Sequence, residues 1–152
     1  MEVRPYVPAD RDSCLALFDS NTPGPFHPQE REVFETWLSG NPTNYVVLEH
    51  EGVVVACGGY ALPAAGSTDA RLTWGMVGRQ WQGQGLGRFL LMYRLRELGK
   101  TAAIVQTVTV ETTPESAPFF ASQGFRTVHV TKDGPGPGLD KTEMVRKISV
   151  CP

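Results

Sequence analysis

The sequence predicts a mixed α/β fold of the α+β type, a central sheet of about seven strands flanked by about four helices. Three observations carry this expectation. Short runs rich in β-branched and aromatic residues, such as 53–61 and 71–77, end in glycine, proline or asparagine clusters, as strands do. Between them lie segments with helical spacing of apolar residues, such as Gln29 to Leu38 and Leu86 to Leu98. A glycine-rich run, Gln82 to Arg88, joins a strand directly to a helix. The 152 residues, 41% hydrophobic and 20% charged, suit one domain over 1–152 with room for a real core.

Taken in order, Val3 to Val7 reads as a strand, and Pro8-Ala9-Asp10 starts a helix reaching Asp19 through Cys14, Leu15, Leu17 and Phe18. Asn21 to Pro28 is a loop, because Pro23, Gly24, Pro25 and Pro28 exclude regular structure. Gln29 to Leu38 is a helix whose apolar face carries Val33, Phe34, Trp37 and Leu38. Tyr45 to Glu49 and Val53 to Ala61 form a hairpin across Glu51-Gly52. Pro63 to Asp69 is a loop, and Arg71 to Val77 a strand. Leu86 to Leu98 is helical and stops at Gly99. Ala102 to Val110 is a strand, and Thr113-Pro114-Glu115-Ser116 starts a helix. Phe125 to Thr131 and Thr142 to Ile148 are the last strands, with a Gly- and Pro-rich loop, Lys132 to Asp140, between them. That loop reads as too long and polar for a tight hairpin, serving either as a lid or wall of a cleft or as a flexible connector.

Composition excludes several classes of partner. A net charge of −2 gives no general attraction to nucleic acid or to an anionic membrane. No apolar run approaches a membrane span, and Met1 to Pro5 lacks the apolar core of a signal peptide. Cys14, Cys57 and Cys151 are odd in number, widely spaced and without metal-ligand spacing, so no metal is expected and a cytoplasmic location is.

The glycine-rich run carries the functional information. Glycines at 83, 85 and 87 leave the backbone nearly bare, so several N–H groups can turn toward one anion beside the N-terminus of the following helix. The phosphate loop Gly-x-x-x-x-Gly-Lys is excluded, since no lysine stands there and the next basic residue is Arg88. The dinucleotide spacing Gly-x-Gly-x-x-Gly fails at Arg88. Gln-x-x-Gly-x-Gly fits, from Gln82 through Gly85 to Gly87. A second motif, Phe120-Ala121-Ser122-Gln123-Gly124-Phe125, matches Tyr-x-x-x-Gly-Phe except at Phe120. With these two motifs in this order, the chain resembles the GNAT superfamily of N-acetyltransferases over roughly Val3 to Ile148. The resemblance implies the GNAT fold, with a mixed, mostly antiparallel sheet.

It also implies an acetyl-coenzyme A-dependent transfer of an acetyl group to a primary amine of a small molecule, by direct attack in a ternary complex. The acceptor can equally be a peptide amine, and a non-catalytic acyl-coenzyme A-binding module is the alternative from another class. By the resemblance, the coenzyme is held by Gln82, Gly83, Gln84, Gly85, Leu86, Gly87 and Arg88 at its pyrophosphate. Met76 and Val77 pair with the pantetheine arm, and Thr113, Ser116, Phe119 and Phe120 line it from the fourth helix. Relatives often pair through sheet edges, which makes a homodimer an expectation.

The chemistry needs a neutral amine, and removing a proton from one of pKa near 10.4 at pH 7 costs roughly 4–5 kcal/mol. The glutamate many relatives carry early on the strand before the loop corresponds to Arg71, leaving Glu111 and Asp69 as candidate bases. Glu111 equally well just ends a strand, and Asp69 a loop. The tyrosine that usually protonates the departing thiolate is Phe120, so Tyr93, Tyr45 or solvent must serve. His27, in the proline-rich loop, and Trp74, on the key strand, are candidate acceptor contacts, with a solvated loop and core packing as their alternatives.

Overall fold

The structure is a computed structural model that describes residues 1–101 and 104–148. Its strands are β1 (Glu2–Pro5), β2 (Tyr45–His50), β3 (Val53–Ala61), β4 (Asp69–Val77), β5 (Thr107–Thr112), β6 (Arg126–Gly136) and β7 (Leu139–Lys147). Its helices are α1 (Arg11–Ser20), α2 (Glu30–Ser39), α3 (Leu86–Gly99) and α4 (Ala117–Ser122). The strands form one sheet in the order β1-β2-β3-β4-β5-β7-β6. All neighbours are antiparallel except β4 and β5. The mixed, mostly antiparallel sheet with four helices is the architecture the sequence predicts.

Alternation along the strands divides the core. Val47 packs with Cys14, Phe18 and Phe34 of α1 and α2, whereas its neighbour Leu48 packs with Leu90 of α3. On α1, buried Cys14, Leu15, Leu17 and Phe18 recur at helical spacing, and on α2 Phe34 and Leu38 do so. Each fully buried Phe or Leu contributes about 1.5–3 kcal/mol. The buried stripe of α3 is Leu90, Leu91, Arg94, Leu95 and Leu98, so one core position holds a guanidinium.

Several boundaries differ from the sequence reading. Strand β4 begins at Asp69, not Arg71, because Asp69 to Arg71 pair with Thr107 to Thr109. Strand β5 begins at Thr107: the amides of Ile104 and Val105 turn back onto the Thr101 carbonyl, and Ala102 lies outside the described residues. Helix α4 begins at Ala117, after a turn in which Ser116 and Ala117 donate to the Thr113 carbonyl. The largest correction concerns Lys132 to Asp140, expected as a loop. Strands β6 and β7 continue through most of it and meet at a turn where Gly138 takes φ 84°. Asp133 Oδ1 accepts from the Gly138 amide at 2.8 Å and closes that turn. Pro135 is tolerated because β6 is the edge strand, where a missing N–H breaks no central ladder. Cys14 and Cys57 are buried free thiols, and Cys151 lies outside the described residues.

Candidate functional site

Strands β4 and β5 part company in mid-sheet. They pair only from Asp69 to Arg71, although β4 runs on to Val77 and β5 to Thr112. Asp69 stitches the closed end, accepting from the Thr107 hydroxyl at 2.8 Å and the Thr109 hydroxyl at 2.9 Å. Beyond it the edge of β4 facing β5 has no ladder partner. A bulge sharpens the divergence. Cys57 pairs with Met76 and Gly59 with Thr73, so Gly58 opposes both Trp74 and Gly75. Trp74 takes φ 36°, a conformation that bulky residues rarely adopt.

The wedge opens into a cleft of about 1220 Å³. At its outer end lies the glycine loop. Gly83 and Gly85 take φ 79° and 83°, and a Cβ added at either meets no atom within 4 Å, so the loop backbone faces open space. Helix α3 starts at Gly85 with no side-chain cap and no acidic residue in its first turn. The amides of Leu86, Gly87 and Arg88 are therefore unpartnered donors at the positive end of a helix dipole. Gly83, Gly85, Gly87 and Arg88 line the cleft; Gln84 is exposed outside it and Leu86 packs against the Leu48 cluster. Gln82 departs from expectation, since its amide already donates to the Arg79 carbonyl at 3.3 Å.

The Gln82 side chain instead anchors the loop. Its Nε2 donates to Asn21 Oδ1 at 2.7 Å and to the Val77 carbonyl at 3.1 Å. Asn21, 1% exposed, donates in turn to the carbonyls of Val77 at 2.9 Å and Leu17 at 3.0 Å. One buried amide thus ties the end of α1, the end of β4 and the start of the loop. Arg79 adds a second cation beside Arg88 and is held by the Ser20 carbonyl at 2.7 Å.

The far wall comes from β5 and α4, where Thr113, Ser116, Phe119 and Phe120 line the cleft with Val110. Among the described residues, three buried side-chain polar atoms lack a hydrogen-bond partner: Thr73 Oγ1, Arg94 Nε and Thr113 Oγ1. All three residues line this one cleft. Orphaned buried groups are rare in folded proteins, and their concentration here marks a place made for a polar ligand. Among the described residues, no tyrosine lines it. The Tyr45 hydroxyl is buried, donates to the Trp74 carbonyl at 2.7 Å, and has its pKa pushed up, chiefly by burial.

At the mouth, Trp74 lines the cleft and also packs on Phe34, ring centroids 4.7 Å apart. Phe26, Val33, Gly134 and Pro135 complete that side, so the β6–β7 hairpin is a wall of the cleft. Glu111 lines the opposite side, accepting from Arg71 at 3.1 Å and lying 3.9 Å from Lys141 Nζ. Asp69 does not line the cleft; both threonine hydroxyls it receives are on β5, which makes it a sheet clamp rather than a base. His27 also stands outside. Its Nε2–H donates to the Pro137 carbonyl at 3.1 Å and its Nδ1 accepts from the Gln29 amide at 3.1 Å, pinning the hairpin tip to the α2 approach.

Glu30 is half-buried in the cleft wall. Burial raises its pKa, although it accepts from the His27 amide at 2.9 Å, and nearby Glu111 raises it further. Glu30 opens α2, and its contact with the His27 amide three residues earlier holds it at the cleft. Asn21 and Arg94 carry no signal in the sequence.

The comparisons agree with this geometry. A family model described as acetyltransferase (GNAT) domain matches residues 21–148. No curated protein matches the chain. Among solved structures, a ribosomal-protein-alanine N-acetyltransferase from Brucella melitensis is 24% identical, with TM-score 0.76, covering 97% of this chain and 99% of that one. The ribosomal-protein-S18-alanine N-acetyltransferase of Escherichia coli is 22% identical, with TM-score 0.75, covering 99% and 96%. An aminoglycoside 6'-N-acetyltransferase complexed with coenzyme A is 16% identical, with TM-score 0.75, covering 100% and 99%. The splayed strands, the glycine loop at an uncapped helix and the match over most of the sequence lead to one conclusion: this chain belongs to the GNAT acetyltransferase family.

Proposed function

We propose that the protein is an N-acetyltransferase that moves an acetyl group from acetyl-coenzyme A to a primary amine within a ternary complex. The observation that carries this is the cleft joining the anion-ready loop to the unpaired edge of β4, lined by all three orphaned buried side-chain polar groups found among the described residues. The residues fit the coenzyme. Amides of Gly83, Gln84, Gly85, Leu86, Gly87 and Arg88 would hold the pyrophosphate, with Arg79 and Arg88 adding charge. The main chain of Met76 and Val77 would pair with the pantetheine arm as another strand would, and Thr113 Oγ1 offers a free hydroxyl beside it.

Acetyl-coenzyme A supplies an activated thioester, so the protein's task is chiefly to hold two reactants in register. Trp74, Phe26 and the carboxylates of Glu30 and Glu111 form the acceptor side, a combination suited to a cationic amine. Glu30 is the base we favour: a half-buried carboxylate with a raised pKa takes a proton more readily than an ordinary one. Glu111, held by Arg71 and Lys141, orients the acceptor. The acceptor we favour is a small amine, held against the wall that Phe26, Gly134 and Pro135 form.

The test is a thiol-release assay over a panel of small amines and peptide N-termini. Turnover with small amines supports the proposal; coenzyme binding without turnover on every amine supports the alternative, an acyl-coenzyme A-binding module, which Phe120 favours. Phe120→Tyr is expected to change kcat by less than about threefold, since a thiolate is already a tolerable leaving group, whereas a missing general acid is worth about 100-fold. A rise of that size would make proton donation to sulfur the limiting step.

A further inference from the structure

Arg94 is 4% exposed and sits on the buried stripe of α3, at a position whose neighbours in the stripe are all leucines. Its guanidinium lies against the β4 bulge: a Cβ added to Gly75 would stand 2.8 Å from Nη1, and one added to Gly58 3.4 Å from Cζ. Glycine on both strands of the bulge is what makes room for it. Yet the room is not a binding pocket for the arginine. Its one side-chain hydrogen bond, to the Gly59 carbonyl, is long at 3.4 Å, and Nε has no partner. No carboxylate among the described residues forms an ion pair with it. Such a charge costs stability, and a buried cation without an anion is tolerated where something outside the fold uses it.

We infer that Arg94 receives the negative charge that develops on the thioester sulfur of the acyl donor, replacing the proton donor that Phe120 cannot be. This rests on the acyl-coenzyme A reading given above. Arg94 lines the same cleft as the loop, and Gly75, against which it lies, directly precedes Met76 and Val77 on the edge assigned to the pantetheine arm. The donor's reactive end therefore reaches the bulge with a cation behind it. In the transfer, the nitrogen lone pair of a neutral amine forms the C–N bond and the C–S bond breaks with its electron pair left on sulfur. The proton shed by nitrogen passes to the Glu30 carboxylate and from there to water. Sulfur leaves as a thiolate, stabilised by the guanidinium without any proton transfer to it. Burial lowers the pKa of Arg94 only to about 10, so the charge persists at neutral pH.

The test reads the thiol of bound coenzyme A directly. Thiolate ultraviolet absorbance is followed against pH for the coenzyme A complex, with the desulfo-coenzyme A complex subtracted as background. Wild type is expected to hold that thiol about 1–3 pH units below its value in free coenzyme A, as a cation within reach does. Arg94→Met is expected to remove the shift, cut kcat by about 100-fold and leave the melting temperature unchanged or higher. Arg94→Lys should keep part of the shift. An unshifted thiol in wild type that binds coenzyme A would overturn the inference, whatever the variants do. So would equal shifts in wild type and Arg94→Met. Failure of wild type to bind coenzyme A at all would overturn the acyl-coenzyme A reading itself, and this inference with it.

Discussion

Gly85→Val is expected to weaken coenzyme A binding by at least about 100-fold, a loss of roughly 2.7 kcal/mol, while the core stays folded. Two effects combine. Gly85 takes φ 83°, where a β-branched residue is strained by about 1–2 kcal/mol, so the loop relaxes toward another conformation. Any valine that keeps the conformation projects its methyl groups into the open space where the anion must approach the amides. No atom meets the added Cβ within 4 Å, so the cost to the fold is confined to the backbone strain. Calorimetric titration with coenzyme A and a thermal melt of the variant separate the two. Retained affinity would remove the loop from the account; a collapsed melt would mean that Gly85 serves the fold first.

Asn21→Ala is expected to destabilise the fold by about 2–4 kcal/mol, because it deletes donors to Leu17 and Val77 and the acceptor for Gln82 at a buried site. For a chain of this length that is a fall of about 5–15 °C in melting temperature. Coenzyme affinity should drop as well, by about tenfold, since the loop loses the contact that fixes its first residue relative to β4. Gln82→Ala removes only the loop side of the contact and should reproduce the affinity loss with a smaller change in stability. Melts and titrations of the two variants in parallel check this; equal melts for wild type and Asn21→Ala would contradict it.

Much of the fold was legible because local signals and tertiary structure agree. The helical spacing of Phe34 and Leu38 and the Glu51-Gly52 turn follow from residue chemistry that packing did not override, whereas Gly99, expected as the stop of α3, stays helical and Lys100 is the cap. The 132–140 segment was misread for a physical reason: glycine and proline mark loops in general, but β6 is an edge strand, where proline breaks no central ladder, and the run carries the hairpin on as a bulge between the Thr131–Lys141 and Gly136–Leu139 pairs. The coenzyme loop was legible because its requirement is a backbone requirement, written directly as glycine spacing. The rest of the site was not, since it depends on distant parts of the chain meeting. Asn21 reaches Gln82 across 61 positions, and Asp69 became a clamp only because Thr107 and Thr109 lie beside it. Arg94 reads from sequence as one more helix cation, and only the packing of α3 on the Gly58–Gly75 bulge shows it buried.

Isothermal titration of the wild-type protein with acetyl-coenzyme A addresses the whole account at once. One site per chain with a dissociation constant between about 1 μM and 1 mM, and no comparable heat from ATP or NAD, is the predicted result. An absence of heat across that range, together with an unchanged melting temperature, would contradict it.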